Sequence, residues 1–280
     1  MIENLKFLAD QSVYFALIVA VLIALCAGLL GVMLVLNRYS MIGDGLSHVA
    51  FGAYAVAAVL SFADNMLLTI PVTIIVAILL LRIKNDGKIK GETLIAMLST
   101  GALAIGYMIL NLAGGNNIAG DVCTTLFGGS AILCLTVRDV IVSSALALAV
   151  IVVFIVFYNR FFAVAFDENY AKATGVCVNG YKMLLATLSA VVIVLAMKLV
   201  GALLISALIV FPALSAMWIV RSFKKVIIVS GIISVTTAAF GLLVACIINA
   251  PIGSTIVIAN IIVFLICYLV KVLTGVKKRA

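Results

Sequence analysis

The chain has 280 residues, of which 66% are hydrophobic and 10% are charged, and its mean hydropathy is +1.40. A water-soluble globular domain carries about 25% charged residues, so the composition excludes that class and indicates an integral membrane protein. The net charge of +8 would suggest nucleic acid as the partner of a soluble protein. Here the basic residues lie in short segments beside apolar runs, where they act as topology signals.

Apolar runs long enough to cross a bilayer, about 20 residues each, follow one another along the whole chain. The predicted crossings are residues 12–36, 41–62, 66–81, 93–112, 139–158, 182–199, 202–220, 226–248 and 253–271. The first run has no A-x-A-like cleavage site, which favours a retained crossing over a removable signal peptide. The sequence therefore predicts an all-α, polytopic transmembrane bundle in which residues 1–280 form a single transmembrane domain.

The basic residues predict the orientation of these crossings. With the N terminus outside and the C terminus inside, fifteen of the eighteen Lys and Arg residues lie on the inner side, as the positive-inside rule requires. These fifteen residues are Arg38, Arg82, Lys84, Lys88, Lys90, Arg160, Lys172, Lys182, Arg221, Lys224, Lys225, Lys271, Lys277, Lys278 and Arg279.

Residues 183–220 contain one charge, Lys198, and admit two interpretations. One long tilted helix would give eight crossings, whereas a turn near Gly201 gives nine. Charge favours nine, because a single helix would place the Arg221 loop and the basic C terminus on opposite sides of the membrane. Gly201 and Pro212 are the predicted helix breaks and candidate gating points, and Pro212 should kink or interrupt the seventh crossing and free a backbone carbonyl.

Asp44 and His48 lie four residues apart in the second predicted crossing, so they share one face of a helix. Their oxygen and nitrogen donors suit zinc and manganese, and water or another crossing would supply further ligands. Gly43, Gly45 and Gly52 allow close helix approach. The alternative is a structural pair that holds helices together. Function is favoured because His48 is the only histidine and no other acidic residue lies clearly inside a crossing.

The longest inner segment, residues 160–182, is predicted to contain a short helix on the inner face of the membrane. Asp167 can act as its N-cap, Ala171 and Lys172 favour helix, and Gly175 can end it. An ordinary solvated connector is the alternative.

The six cysteines form no C-x-x-C pair. Cys26, Cys246 and Cys267 fall inside apolar runs, so we interpret them as buried apolar residues rather than as metal ligands or disulfide partners.

Three stretches together resemble the permease subunits of ATP-binding-cassette importers for zinc and manganese. In that family an Asp and a His four apart follow an Arg-containing turn, which is similar to LNRYSMIGDGLSHVAFGAY. The cytoplasmic coupling segment, often written D-P-E-x-A-x-x-x-G, resembles FDENYAKATGVCVNGYKML, and an apolar segment that ends in Pro-Ala resembles LVGALLISALIVFPALSA. The resemblance covers about residues 12–272. Glu168 stands in place of the usual proline and Asn169 interrupts the acidic pattern, which could alter entry into the helix but not the identity of the segment.

The resemblance implies a transporter rather than an enzyme, located in the bacterial plasma membrane. Asp44 and His48 match positions that coordinate metal in the permeation pathway, and the segment around residues 160–182 matches the part that sits in a groove of the ATPase. The implied coupling residues are Asp167, Glu168, Ala171, Lys172 and Gly175. The implied partners are a second permease copy, as a homodimer or close heterodimer, two cytoplasmic ATPase subunits and an extracellular metal-binding protein.

No resident cofactor is implied by the resemblance: zinc or manganese is the transported ion, and ATP binds to the partner ATPase. The chain has no G-x-x-x-x-G-K-[ST] motif, so it does not hydrolyse ATP through a P-loop. The leading interpretation is import of a divalent transition metal by alternating access, driven by a separate ATPase. Two ligands do not distinguish zinc, manganese and iron.

Two other functions stay open at this point. A permease for a vitamin or an iron chelate would carry a large organic ligand, which does not require an Asp and His pair. A membrane enzyme, such as an intramembrane hydrolase, would need a nucleophile and a base, and the single histidine beside Asp44 has no convincing serine or cysteine partner.

Overall fold

A computed structural model describes residues 11–37, 39–60, 65–83, 91–113 and 135–273, and all regular secondary structure in these ranges is α-helical. The helices are α1 (Gln11–Leu36), α2 (Ile42–Val59), α3 (Met66–Ile83), α4 (Gly91–Leu112), α5 (Val137–Val156), α6 (Tyr158–Phe166), α7 (Glu168–Ala173), α8 (Val178–Val200), α9 (Ala202–Ile219), α10 (Phe223–Ile248) and α11 (Ile252–Leu273). The predicted all-α class is confirmed. The basic residues predicted at positions 38, 84–90 and 277–279 lie outside the described ranges.

Seven helices in the described ranges are long and apolar enough to cross a membrane: α1, α2, α4, α5, α8, α10 and α11. Shorter apolar stretches, Met66–Leu80 and Leu204–Ile219, lie in α3 and α9. These nine helices follow the nine predicted crossings in order, so the multi-pass bundle is confirmed. The side of the membrane on which each loop lies stays a prediction.

Helices α1 and α10 are joined by two side-chain hydrogen bonds that fix their relative direction. Ser230 Oγ donates to the carbonyl of Gly28 at 2.9 Å, and Ser234 Oγ donates to the carbonyl of Ala24 at 2.7 Å. A later residue of α10 therefore meets an earlier residue of α1, so the two helices are antiparallel.

Helices α10 and α11 form a second antiparallel pair. Thr237 Oγ1 lies 3.1 Å from Asn260 Oδ1, and a Cβ atom built at Gly241 would lie 2.7 Å from the Cα atom of Ile256. Since α10 opposes both α1 and α11, the first and last long helices run in the same direction. This is the arrangement of an odd number of crossings, so the geometry favours nine over eight.

The predicted helix break at Gly201 is confirmed. Helix α8 ends at Val200 and α9 begins at Ala202, while Gly201 itself has φ 102° and ψ 153°. Glycine adopts positive φ readily because it lacks a Cβ atom. The Gly201 N–H points back to the carbonyls of Ala196 and Met197, each at 3.2 Å, and so closes the end of α8.

Of the two outcomes predicted at Pro212, a kink or an interruption, the interruption is not found, because α9 continues through this residue from Ala202 to Ile219. Proline has no N–H and deprives the carbonyl four residues earlier, that of Leu208, of its helical donor. Membrane helices tolerate this loss when neighbouring helices pack around the site. Pro212 is buried, as are Ala213 and Ala216 after it.

Helix α1 lies at the centre of the bundle and contacts α5, α9 and α10. In contrast, α4, α5 and α11 expose most of their apolar surface, as helices that face lipid or another membrane subunit do. Cys26, Cys246 and Cys267 are buried, which confirms their predicted burial in the apolar core.

Candidate functional site

Asp44 and His48 lie on one face of the first two turns of α2. His48 Nε2 is 3.7 Å from Asp44 Oδ1. This distance is longer than a hydrogen bond, but it brings the two potential metal-ligating atoms into one region. The His48 side chain is 15% exposed and the Asp44 side chain is 42% exposed. Among the described residues, His48 Nδ1 is buried and has no hydrogen-bond partner. The two side chains therefore lie close together, as their i,i+4 spacing predicts. In the part of the chain that the structure describes, no other group forms a short hydrogen bond with the Asp44 carboxylate or with His48 Nδ1.

Ser206 brings α9 to the Asp44 carboxylate. Its hydroxyl lies 3.5 Å from Asp44 Oδ1 and 3.4 Å from the carbonyl of Ala202 on its own helix. Ser47, in contrast, donates to the Asp44 backbone carbonyl at 2.7 Å and so makes a local helix contact. Sequence analysis missed Ser206; its one signal is a hydroxyl in an otherwise apolar run, five residues after the Gly201 break.

Glycines bring the neighbouring helices close to α2, as predicted. A Cβ atom at Gly45 would overlap with Ile95 Cγ2 of α4, and one at Gly52 would lie 2.8 Å from the backbone oxygen of Ala102. On the α9 side, a Cβ atom at Gly43 would lie 3.2 Å from Ile209 Cδ1. The face that carries Asp44 and His48 is thus positioned by backbone packing on two sides.

A cavity of about 540 Å³ lies between α9 and α11. Ser206 and Phe211 line it from α9, and Gly253, Ser254 and Ile258 line it from α11. Ser206 consequently borders both the Asp44 carboxylate and this cavity.

The donors near Asp44 suit a divalent cation but do not complete its coordination. Within the described ranges, no group of three or more His, Cys, Asp or Glu side chains comes together. A carboxylate and a neutral imidazole supply two donors, and most divalent ions take four to six. Hydroxyl groups, water or a second protein copy would have to provide the rest.

The inner segment, residues 160–182, contains the predicted short helix as α7. Asp167 caps it by accepting hydrogen bonds from the N–H groups of Asn169 and Tyr170 at 2.9 and 3.0 Å. At the other end Gly175 has φ 80°, and its N–H donates to the carbonyl of Lys172 at 3.1 Å. The N–H of the next residue donates to the carbonyl of Ala171 at 2.9 Å, which completes a Schellman motif. The predicted cap and the predicted end are both confirmed.

Electrostatic contacts connect the inner segment to α8 and to the turn before α2. Glu168 forms an ion pair with Lys182 at the start of α8. Burial, together with the negative charge of Glu168, raises the pKa of the Tyr39 hydroxyl above its ordinary value of 10.0. Tyr39 is itself 7% exposed and lies five residues before Asp44. The turn that leads into the Asp44 helix therefore lies within electrostatic reach of α7.

The predicted coupling residues differ in their exposure. Ala171 is fully buried in a small cluster with Val164, Val176 and Val178, so it can support α7 but cannot touch a partner. Lys172 is exposed.

Sequence analysis also missed the helix α6 and two aromatic side chains on the surface of the inner segment. Phe166 is 75% exposed and Tyr170 is 65% exposed. Their signal in the sequence is two large aromatic residues on either side of the Asp167 cap.

Known proteins resemble this chain over nearly its whole length. A model of the family described as "ABC 3 transport family" matches residues 9–271. The manganese import system permease protein ScaB of Streptococcus gordonii is 29% identical over 255 residues, which cover 91% of this chain and 90% of that protein. The manganese transport system membrane protein MntC of Halalkalibacterium halodurans is 25% identical over 284 residues, which cover 99% and 95%.

One solved structure resembles the fold over nearly its whole length. It is described as PsaBC from Streptococcus pneumoniae in complex with Fab, and it superposes with a TM-score of 0.84 at 31% sequence identity. The match covers 96% of this chain and 95% of that chain.

Proposed function

We propose, on the premise that the chain belongs to the ABC 3 transport family, that it moves manganese into the cell by alternating access, driven by a separate ATPase. The family and the named relatives make it the multi-pass permease of a metal importer in the bacterial plasma membrane, a non-enzymatic subunit. In this proposal residues 1–280 act as one permease domain, and residues 160–182 are its coupling segment.

The observation that carries the proposal is the open Asp44 and His48 pair. Removing a polar or charged group from water without a partner is costly, and ionisable residues in membrane helices commonly mark ion pathways. Within the described part of the chain, His48 Nδ1 is buried with no partner, and the Asp44 carboxylate makes contacts of 3.5 and 3.7 Å. A divalent cation at this point would engage the two side chains together.

Manganese is favoured over zinc by the names of the relatives, since ScaB and MntC are both named for manganese. The donors around Asp44, a carboxylate, an imidazole and a hydroxyl, suit manganese as well as zinc, so they are compatible with this assignment without deciding it.

The proposed partners are a second permease copy, two cytoplasmic ATPase subunits and an extracellular metal-binding protein. The exposed Phe166, Tyr170 and Lys172 form an apolar and basic surface on the inner segment. This surface is suited to insertion into a groove of the ATPase, while Asp167 and Gly175 define the shape of α7. ATP binds to that partner, and the ion is cargo rather than a resident cofactor.

Uptake measurements test the metal site. Cells without other manganese importers would express the complete importer with Asp44→Asn or His48→Ala, and manganese uptake would be divided by the amount of folded permease. We expect each variant to lose more than about tenfold in uptake, because even indirect supports of metal ligands account for 10- to 100-fold in affinity. Neutralising Asp44 should not impair insertion, since it removes a charge from the membrane.

Asp139→Asn is the matched control, because Asp139 is the N3 residue of the capping box at the start of α5, and the side-chain oxygen of Asn can accept the same hydrogen bond from the N–H of Thr136. It should leave uptake near the wild-type value. Near-normal uptake in both Asp44→Asn and His48→Ala would overturn the metal site. Faster uptake of zinc than of manganese would replace manganese with zinc, and uptake of a metal chelate in place of the free ion would favour a chelate permease.

A further inference from the structure

We infer that Ser206 of α9 is a third donor to the transported ion, so that a bound ion joins α2 to α9. The inference rests on the proposed function, in which Asp44 and His48 bind that ion.

The distances around Asp44 Oδ1 fit donors that share an ion better than donors that share a hydrogen bond. Ser206 Oγ lies 3.5 Å from this oxygen and His48 Nε2 lies 3.7 Å from it. A hydrogen bond from a hydroxyl to a carboxylate is typically about 2.5–2.7 Å long. In contrast, two adjacent donors of an octahedral ion with bonds of about 2.2 Å are about 3.1 Å apart. Both observed separations lie nearer to this second value than to a short hydrogen bond.

The Ser206 hydroxyl is not tightly held by another group. Its second contact, to the carbonyl of Ala202, is 3.4 Å long. Other serines in the described bundle bond their acceptors more tightly, as Ser189 does with the carbonyl of Leu185 at 2.8 Å. Ser206 can therefore turn a lone pair toward an ion without losing a strong hydrogen bond.

The position of Ser206 also fits a ligand that an ion reaches from an open space. It lines the cavity of about 540 Å³ between α9 and α11, and its hydroxyl also lies 3.5 Å from Asp44 Oδ1. Gly43 allows α9 to pack close to α2, since a Cβ atom there would lie 3.2 Å from Ile209 Cδ1.

A third donor on α9 has a mechanical consequence. Ser206 lies in the second turn after Gly201, where the chain breaks between α8 and α9. An ion held by Asp44, His48 and Ser206 would restrain α9 relative to α2 beyond this break. The occupied and empty permease would then differ in how firmly these two helices are joined.

Substitution of Ser206 separates a ligand from a packing residue. Ser206→Ala should raise the half-saturating manganese concentration roughly tenfold, whereas Ser206→Thr, which keeps the hydroxyl, should stay near wild type. Ser206→Cys should make Cd²⁺ a competitor of manganese uptake that is stronger by roughly tenfold, because a thiolate prefers soft ions. Ser189→Cys is the control, because Ser189 lies on α8 outside the lining of this cavity, and it should alter neither quantity.

The outcomes distinguish this inference from the proposed function. If Ser206→Ala has wild-type half-saturation and Ser206→Cys has wild-type sensitivity to Cd²⁺, while Asp44→Asn still abolishes uptake, Ser206 is not a ligand and the function stands. A lower amount of folded protein with unchanged half-saturation would assign Ser206 to packing and overturn the inference. Normal uptake in Asp44→Asn would remove the metal site itself, and with it the role of Ser206.

Discussion

The Asp44 and His48 pair and the inner segment are each built around a carboxylate at the start of a helix, but the two carboxylates are satisfied to different degrees. Asp167 accepts hydrogen bonds of 2.9 and 3.0 Å from backbone N–H groups. The nearest recorded donors to Asp44 Oδ1 lie at 3.5 and 3.7 Å. Short hydrogen bonds from N–H groups to a carboxylate are strong, so the Asp167 carboxylate stabilises the start of α7. The Asp44 carboxylate has no such bond among the described residues and can bind an ion.

The largest expected effect comes from making the same substitution at both carboxylates. Asp44→Ala should reduce manganese uptake by more than about tenfold and leave the melting temperature of the purified permease nearly unchanged. Asp167→Ala should cost about 1 kcal/mol of helix stability, the usual loss for an N-cap, and increase amide exchange in residues 168–173. If Asp44→Ala lowers the melting temperature as much as Asp167→Ala does, the two carboxylates do not differ as proposed.

The second largest effect concerns the glycines that position α2, the helix that carries Asp44. Close helix packing, rather than hydrogen bonding, holds this helix in place. Gly52→Ala should destabilise the permease by about 1–3 kcal/mol, as overpacking does, because its Cβ atom would lie 2.8 Å from the oxygen of Ala102. Gly101→Ala on α4 is the matched control, since nothing lies within 4 Å of its Cβ position. Thermal unfolding in detergent should separate the two variants, and equal melting temperatures would contradict this account of the packing.

A smaller effect is expected at the end of α7. Gly175→Ala should cost about 1–2 kcal/mol of local stability, because an L side chain is strained at positive φ, although the Cβ position itself is free of neighbours. Gly175→Asn should cost less, since Asn tolerates the left-handed region. In the complete importer we expect Gly175→Ala to reduce ATPase stimulation more than Gly175→Asn does. Equal stimulation in both variants would show that the shape of this helix end does not affect coupling.

Much of the fold could be predicted because the dominant signals are local. The length of each apolar run defines a crossing, and the break at Gly201 follows from charge together with a glycine. The same local reasoning could not choose at Pro212 between a kink and an interruption, because whether a proline interrupts a helix depends on the packing around it, and here the residue is buried. The side of the membrane on which each loop lies still rests on the charge pattern.

The site could be predicted only where its residues are neighbours in sequence. Asp44 and His48 are four residues apart, so helical geometry alone brings them together. Ser206 is 162 residues from Asp44, and no periodicity in one sequence links α9 to α2. The exposed Phe166 and Tyr170 were missed for a related reason, since the sequence shows two aromatic residues beside the Asp167 cap but not which face of the segment they occupy.

The smallest effect links the inner segment to the turn before α2, and it appears only at alkaline pH. Burial and the charge of Glu168 raise the pKa of Tyr39 above 10.0, so the folded state holds this proton more tightly than the unfolded state does. A raised pKa leaves stability unaffected below pH 10.0 and lowers it as the pH rises from there to the folded-state pKa.

Tyr39→Phe removes the titrating hydroxyl, so the variant should lose less stability than the wild type between neutral pH and pH values above 10.0. Lys182, the ion-pair partner of Glu168, is present in both proteins, so its own titration cancels in the comparison. Melting temperatures measured across this range provide the test, with Tyr170→Phe as a control because its side chain is 65% exposed. Parallel curves for Tyr39→Phe and the wild type would show that neither burial nor the charge of Glu168 raises the pKa of Tyr39.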